Sequence, residues 1–203
     1  MTSQSQALLR VPSKVVVDGF LGAERAAALH ALAIKRQPLF EPAVLGGGHL
    51  LPGTRTALRY IGAELPTLFY EHFAARVPDL QQALGMPGFT DYRAELELTA
   101  YGDGCFYRRH IDTSTGKDAR WARQMSMVYY LHQSPRTYEG GAIRFHAPVG
   151  AAFEDIDSRH DRLVAFASWM PHEVLPVRCT DDRFEQRRFA LNIWLRTLQL
   201  APT

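Results

Sequence analysis

The chain has 203 residues, 46% of them hydrophobic and 22% charged, with a formal net charge of +2. This composition belongs to a globular protein and excludes a collagen-like, disulfide-stapled or intrinsically disordered chain. No apolar run nears the ~18 residues of a membrane span and no polybasic arm is present, so no membrane partner is expected and nucleic acid is disfavoured.

The opening Met1-Thr-Ser-Gln-Ser-Gln lacks the basic and apolar regions of a secretory leader. Cys105 and Cys179 lie too far apart in sequence to suggest a disulfide framework, so a cytoplasmic location is expected. Lys14 to Leu21 reads as a short strand entering a turn. Ala23 to Lys35 carries Ala, Leu and Ile at helical spacing, with Glu24 near its start and Lys35 at its end, the charge order a helix dipole favours. Gln37 to Thr56, with three prolines around Gly46-Gly47-Gly48, reads as an irregular loop. Ala63 to Leu84 is helical again. It admits Pro66 in a first turn, breaks before Pro78 and lines Leu68, Phe69, His72, Phe73 and Val77 along one face. His72 there reads as a packed helix residue rather than a ligand.

After Pro87 the period falls to two. Ala94 to Tyr101 alternates Glu95, Glu97, Thr99 and Tyr101 against Leu96, Leu98 and Ala100. Further strands are expected at Phe106 to Ile111, Gln124 to Leu131, Ala142 to Ala147, Arg162 to Ser168, Glu173 to Arg178 and Phe189 to Leu198. Helices followed by strands argue for an α+β fold, with helices packed on one sheet of a β-sandwich. The expected organisation is a single domain, 1–203, with a helical support layer over 1–92 and the sheet portion over 93–198.

Chemistry first shows at His110-Ile-Asp112. On a strand, residues i and i+2 share a face, so an imidazole and a carboxylate converge. His172, opening a strand after Pro171, is the best candidate for a third ligand. Two histidines and one carboxylate leave three adjacent coordination positions open, the facial arrangement of non-heme Fe(II) oxygenases. In the last strand Arg188, Ala190, Asn192 and Trp194 oppose Phe189, Leu191, Ile193 and Leu195. Burying the apolar set against helices turns Arg188 inward, where a guanidinium needs an anion: a bound carboxylate ligand, or an acidic residue of another strand. Arg187 reads as an outward, solvated charge.

Read together, Tyr101-Gly-Asp-Gly, Tyr107-Arg-Arg-His110-Ile-Asp112, Met127-Val-Tyr-Tyr-Leu131, Gly140-Gly-Ala-Ile-Arg-Phe145, Asp161-Arg-Leu-Val-Ala-Phe166, His172-Glu-Val-Leu-Pro-Val and Arg188-Phe-Ala-Leu-Asn-Ile-Trp194 resemble 2-oxoglutarate- and Fe(II)-dependent oxygenases. The pattern is similar to the prolyl 4-hydroxylase branch, in particular the oxygen-sensing prolyl hydroxylases and their bacterial relatives. The resemblance implies a double-stranded β-helix (jelly roll) in which His110, Asp112 and His172 ligate iron. It implies that Arg188, with Tyr101 and Tyr130, holds 2-oxoglutarate, and that Arg123, Asn192 and Trp194 line the substrate pocket; Tyr107 and Glu97 are further candidates for that pocket from their places on the neighbouring strands. The implied cofactors are Fe(II), with 2-oxoglutarate and O₂ as co-substrates and ascorbate as a candidate reductant. The products are a hydroxylated substrate, succinate and CO₂. The stretch between Pro176 and Arg188 is longer than in the oxygen sensors, so Arg178 and Arg183 compete for the arginine role.

The expected substrate is a protein or peptidyl residue, proline foremost. The alternatives are a free amino acid or biosynthetic intermediate on the same chemistry, or a non-catalytic metal-binding jelly-roll module. A nucleic-acid demethylase fits less well, because Asn192 lies four residues after Arg188 instead of two. The loop from Thr113 to Arg123, with Trp121 exposed among cations, is expected to overhang the pocket. Glu95 and Glu97 would favour a cationic substrate if their face lines its mouth, or are solvated strand charges if it does not. Oligomeric state is not encoded in any of these motifs.

Overall fold

Alternation and helical spacing sort the chain into layers. The computed structural model describes residues 10–43, 53–113, 120–181 and 183–198. The helices are α1 (Ala23–Lys35), α2 (Leu65–His72) and α3 (Val77–Ala83). The strands are β1 (Lys14–Asp18), β2 (Glu41–Pro42), β3 (Leu58–Tyr60), β4 (Arg93–Tyr101), β5 (Tyr107–His110), β6 (Trp121–Leu131) and β7 (Tyr138–Gly140). They continue with β8 (Ile143–His146), β9 (Phe153–Ile156), β10 (Arg162–Ala167), β11 (His172–Val174), β12 (Val177–Cys179) and β13 (Arg188–Leu198).

A seven-stranded antiparallel sheet runs β1-β10-β6-β13-β4-β3-β2, and a four-stranded sheet runs β5-β11-β8-β9. The larger sheet is buried on both faces. One face presents Leu96, Leu98, Met127, Tyr129, Leu163, Leu191 and Ile193 to Ala26, Leu29 and Ala33 of α1 and to Phe69, Phe73, Val77 and Leu80 along α2 and α3. Each such aliphatic side chain removed from water contributes roughly 2 kcal/mol. The opposite face packs Val128, Tyr130, Val164, Phe166 and Ala190 on Ile143 and Phe145 of the smaller sheet. This is a jelly roll, as the resemblance implies, with helices on one sheet, as the periodicity predicts.

Helix α1 opens at Gly22 with no side-chain cap of its own. Asp161 caps it from the far end of the chain: its carboxylate accepts from Leu21 N (2.8 Å), Gly22 N (2.9 Å) and the Tyr129 hydroxyl (2.7 Å). Burial and that carboxylate together push the Tyr129 phenol upward, so it stays a donor. Asp161 does this from the left-handed region, φ 58°, which Asp tolerates better than most residues.

Several expectations need correction. The first 92 residues supply more than a helical layer, because β1, β2 and β3 extend the large sheet at both edges. The helical stretch from residue 63 does break before Pro78 as expected: a 3-10 turn over Ala74–Arg76 intervenes, and α3 starts with Pro78 in its first turn. The strand expected over Glu173 to Arg178 is two strands. Pro176 has no N–H to give a ladder, so β11 stays in the four-stranded sheet and β12 pairs with β7 instead. Strands β2, β3, β7 and β9 escaped periodicity because each is four residues or shorter. The opening Met1-Thr-Ser-Gln-Ser-Gln, much of the Gly46-Gly47-Gly48 loop and Asp182 lie outside the described residues.

Candidate metal centre

His110 ends β5 and His172 begins β11, and the two are direct register partners. Their rings stand 4.2 Å apart between centroids. Asp112 is not delivered by strand alternation as expected, because β5 stops at His110. A bend carries it inward instead, fixed by Asp112 N and Thr113 N, which both donate to Ser168 O at 2.8 and 3.1 Å. Its two oxygens lie 3.6 Å from His110 Nε2 and 3.6 Å from His172 Nε2. The three ligand atoms all fall within 4.8 Å of one another.

Backbone carbonyls fix which nitrogen is free. His110 Nδ1 lies 2.8 Å from Arg108 O and His172 Nδ1 lies 2.8 Å from Met170 O. A carbonyl only accepts, so each Nδ1 carries the proton and each Nε2 turns a lone pair on the centre. Burial pushes the His172 imidazole down to about 4, which keeps it neutral. Burial opposes ionisation of Asp112, yet its carboxyl is held below the ordinary range, with the Ser126 hydroxyl donating to it at 2.7 Å. Two neutral imidazoles and one carboxylate are a donor set that a divalent transition metal accepts. Tyr107 stacks on His110 at 3.6 Å and 18°, and Phe166 packs edge-on to His172 at 4.8 Å.

Arg188 is 1% exposed, with its guanidinium between the rings of Tyr101 (4.9 Å) and Tyr130 (4.8 Å). Its Nε and Nη1 have no hydrogen-bond partner, and neither has the buried Tyr130 hydroxyl. Orphaned buried donors of this strength are costly, and a carboxylate would satisfy several at once. Burial pushes the Tyr130 phenol upward, so it too remains a donor. Gly141 makes the space: at φ 68° a Cβ would stand 2.6 Å from Arg188 Cδ. Of its rivals, Arg178 is exposed on β12 and Arg183 is 59% exposed and paired with Asp181 at 2.6 Å. Arg187 is half-buried rather than solvated, its guanidinium 5.6 Å from the Phe184 ring.

The expected pocket residues divide. Asn192 donates to the Thr99 hydroxyl (3.2 Å), and Arg123 lies over Trp194 at 4.0 Å. Glu97 is only 6% exposed and pairs with Arg55 Nη2 (2.5 Å) and Arg59 Nη1 (3.7 Å). Glu95 binds Arg123 Nε (3.1 Å) and Nη2 (2.5 Å). Neither glutamate offers a free charge to a cationic substrate, and Glu97 is not a solvated strand charge either. Trp121 is half-buried under Arg93, 4.2 Å away, rather than exposed. Of the expected overhanging loop, residues 114–119 lie outside the described residues; its start is tied down where Thr113 Oγ1 donates to Arg123 O (3.1 Å).

Sequence reasoning missed Ser126, Arg55 and Gly141. Ser126 was within reach, since it shares strand parity with Val128 and Tyr130. Arg55 sits in an isolated bridge to Tyr107, and no periodicity marks it.

Comparison with known proteins agrees with this geometry. Residues 96–196 match the family model of the 2OG-Fe(II) oxygenase superfamily. An uncharacterised PKHD-type hydroxylase of Synechocystis sp. is 33% identical over 140 residues, covering 65% of this chain and 46% of that protein. The hypoxia-inducible factor prolyl hydroxylase of Caenorhabditis elegans is 35% identical over 106 residues, 50% of this chain and 13% of that protein. The chain thus spans less than half the length of these curated relatives. The crystal structure of a Pseudomonas putida prolyl-4-hydroxylase superposes with a TM-score of 0.70 at 26% identity, covering 96% of this chain and 99% of that one.

Proposed function

We propose that this chain, whose residues 96–196 match the 2OG-Fe(II) oxygenase superfamily, is a dioxygenase of the prolyl 4-hydroxylase branch that hydroxylates a protein or peptidyl residue, proline foremost. One observation carries this reading: three ligand atoms converge on one point while a buried arginine with orphaned donors stands in the same interior. In this reading His110 Nε2, Asp112 and His172 Nε2 hold Fe(II). Arg188 and the Tyr130 hydroxyl bind the far carboxylate of 2-oxoglutarate, and Tyr101 closes the other side of the guanidinium. When bound, Fe(II) with 2-oxoglutarate and O₂ supplies the oxidising power for hydroxylation, with succinate and CO₂ as co-products and ascorbate as a reductant.

The protein's own part is positional. Carbonyls of Arg108 and Met170 fix the imidazole tautomers, and Ser126 fixes the carboxylate. The rings of Phe145 and Phe166 pack against His172 at 6.0 and 4.8 Å and close that side of it to water. The fork of Arg188 gives direction as well as charge, so the dicarboxylate enters in one orientation. Names among the relatives support proline as the target: one is a prolyl hydroxylase of hypoxia-inducible factor and one a prolyl-4-hydroxylase. No described helix is long and apolar enough to cross a membrane, and a cytoplasmic location fits a chain whose two cysteines are both thiols.

The test is succinate formation from 2-oxoglutarate, followed with and without Fe(II) and O₂, combined with mass spectrometry of a treated lysate. The expected result is metal- and oxygen-dependent succinate together with peptides heavier by one oxygen on proline. No succinate under any condition overturns the reading; oxygen gained only by metabolites overturns the peptide substrate.

A further inference from the structure

The inner face of the large sheet rises out of the sandwich at one end. Along β13 the inward residues pass from Arg188 and Ala190, both 1% exposed, through half-buried Asn192, Trp194 and Arg196 to Leu198 at 47%. On this emerging ledge Arg196 lies directly opposite Arg93 of β4 and directly opposite Arg123 of β6. Three arginines thus share one row across three adjacent strands. Like charges placed directly opposite destabilise a sheet. Among the described residues only Glu95 offsets them, bound to Arg123 and 3.6 Å from Arg196 Nη1.

Two tryptophans floor the ledge, each under a guanidinium: Arg93 over Trp121 at 4.2 Å and Arg123 over Trp194 at 4.0 Å. A guanidinium stacked face-on presents its in-plane N–H donors at the edge in a fixed direction. Arg123 gives Nε and Nη2 to Glu95 and Arg196 gives Nε and Nη2 to Trp121 O, so the edge of Arg93 is the one a ligand meets first. The next row inward joins Glu95, Trp194 and Ser126, and Ser126 donates to Asp112 of the metal cluster. The ledge is therefore continuous with the candidate metal centre. At about 3.3 Å per residue of extended chain, a ligand carboxylate on the arginine row lies roughly two to four residues from the group over the metal.

We propose that this ledge docks an acidic peptide segment, so that the substrate of the oxygenase site carries Asp or Glu two to four residues from the hydroxylated position. The inference rests on the peptide-hydroxylase reading above and adds the charge of its substrate.

The test is fluorescence anisotropy with labelled proline-containing peptides that differ only in carrying Glu, Gln or Lys at those flanking positions. The Glu peptide is expected to bind about two- to fivefold more tightly than the Gln peptide, with the advantage lost between about 50 and 500 mM salt. Arg93→Glu is the informative variant, because it sets an anion opposite Arg196 and so relieves repulsion in the sheet. Its melting temperature should hold or rise while affinity for the Glu peptide falls. Arg136→Gln, on a distant ion pair with Asp157, should leave peptide binding unchanged. Equal binding of the Glu, Gln and Lys peptides, unaltered affinity in Arg93→Glu, or tighter binding of a single-stranded RNA oligonucleotide would each overturn the proposal. Succinate formation by the unaltered protein tests the oxygenase reading separately: turnover with no charge preference sinks the acidic ledge alone.

Discussion

Arg188 is the residue on which co-substrate binding turns, because it is buried with donors that nothing in the described chain satisfies. Arg188→Ala should weaken 2-oxoglutarate binding by about 2–5 kcal/mol, measured by calorimetry, the range for truncating one member of a buried charge pair. Arg188→Lys should rescue little, since an ammonium cannot form two parallel bonds; full affinity in either variant would assign the role to another residue. Ser126 acts on the metal through Asp112. Ser126→Ala should lower divalent-metal affinity about 10–100-fold, read by Mn(II) titration, with the melting temperature nearly unchanged. At this scale the sequence showed which side chains carry chemistry, because alternation in the last strand fixes that Arg188 and Trp194 oppose the apolar set. It did not show that Glu97 is neutralised by Arg55 and Arg59, since those partners come from segments without periodicity.

Between elements, the decisive contact is the Asp161 carboxylate that caps α1 and anchors Tyr129 of β6. Asp161→Ala would strand three donors at a helix–sheet junction and should cost about 2–4 kcal/mol, read as a lower urea midpoint. Tyr129→Phe, which keeps the ring packed between Phe20 and Phe73, should cost only about 1 kcal/mol. If the two variants unfold alike, the clamp is not what joins the layers. Helix α1 was legible in the sequence to the residue, since its apolar spacing and charge order are local properties. Its cap was not, because 139 residues separate Gly22 from Asp161.

Over the whole molecule, acid stability draws on histidines whose imidazoles are held below the ordinary value: His172 at the candidate centre, and away from it His30 of α1 and His132 just after β6. His132 N donates to His160 Nδ1 (3.2 Å) and His160 N to His132 Nε2 (2.9 Å), so both ring nitrogens must be unprotonated to accept. Burial pushes the His132 and His30 imidazoles below their ordinary value, and the neighbouring cations act in the same direction. The folded protein therefore binds fewer protons than the unfolded chain. Stability is full above the ordinary histidine value of about 6.5 and falls as the pH drops below it. The melting temperature should be lower at about pH 5.5 than at about 7.5, and His132→Gln, which keeps an acceptor for His160 N, should flatten the slope. An unchanged slope would move the acid sensitivity elsewhere.

The amino-acid sequence alone determined the two apolar periods, and with them the helices, the long strands and the inward set of Arg188, Asn192 and Trp194, because side-chain direction along a helix or strand is fixed by backbone geometry. It also supplied the ligand residues themselves. Only the tertiary structure decided how Asp112 reaches the histidines, which carbonyls set their tautomers, and that three arginines meet in one row. Those are relations between strands far apart in the chain, set by pairing register, and register arises from the packing of the whole sandwich.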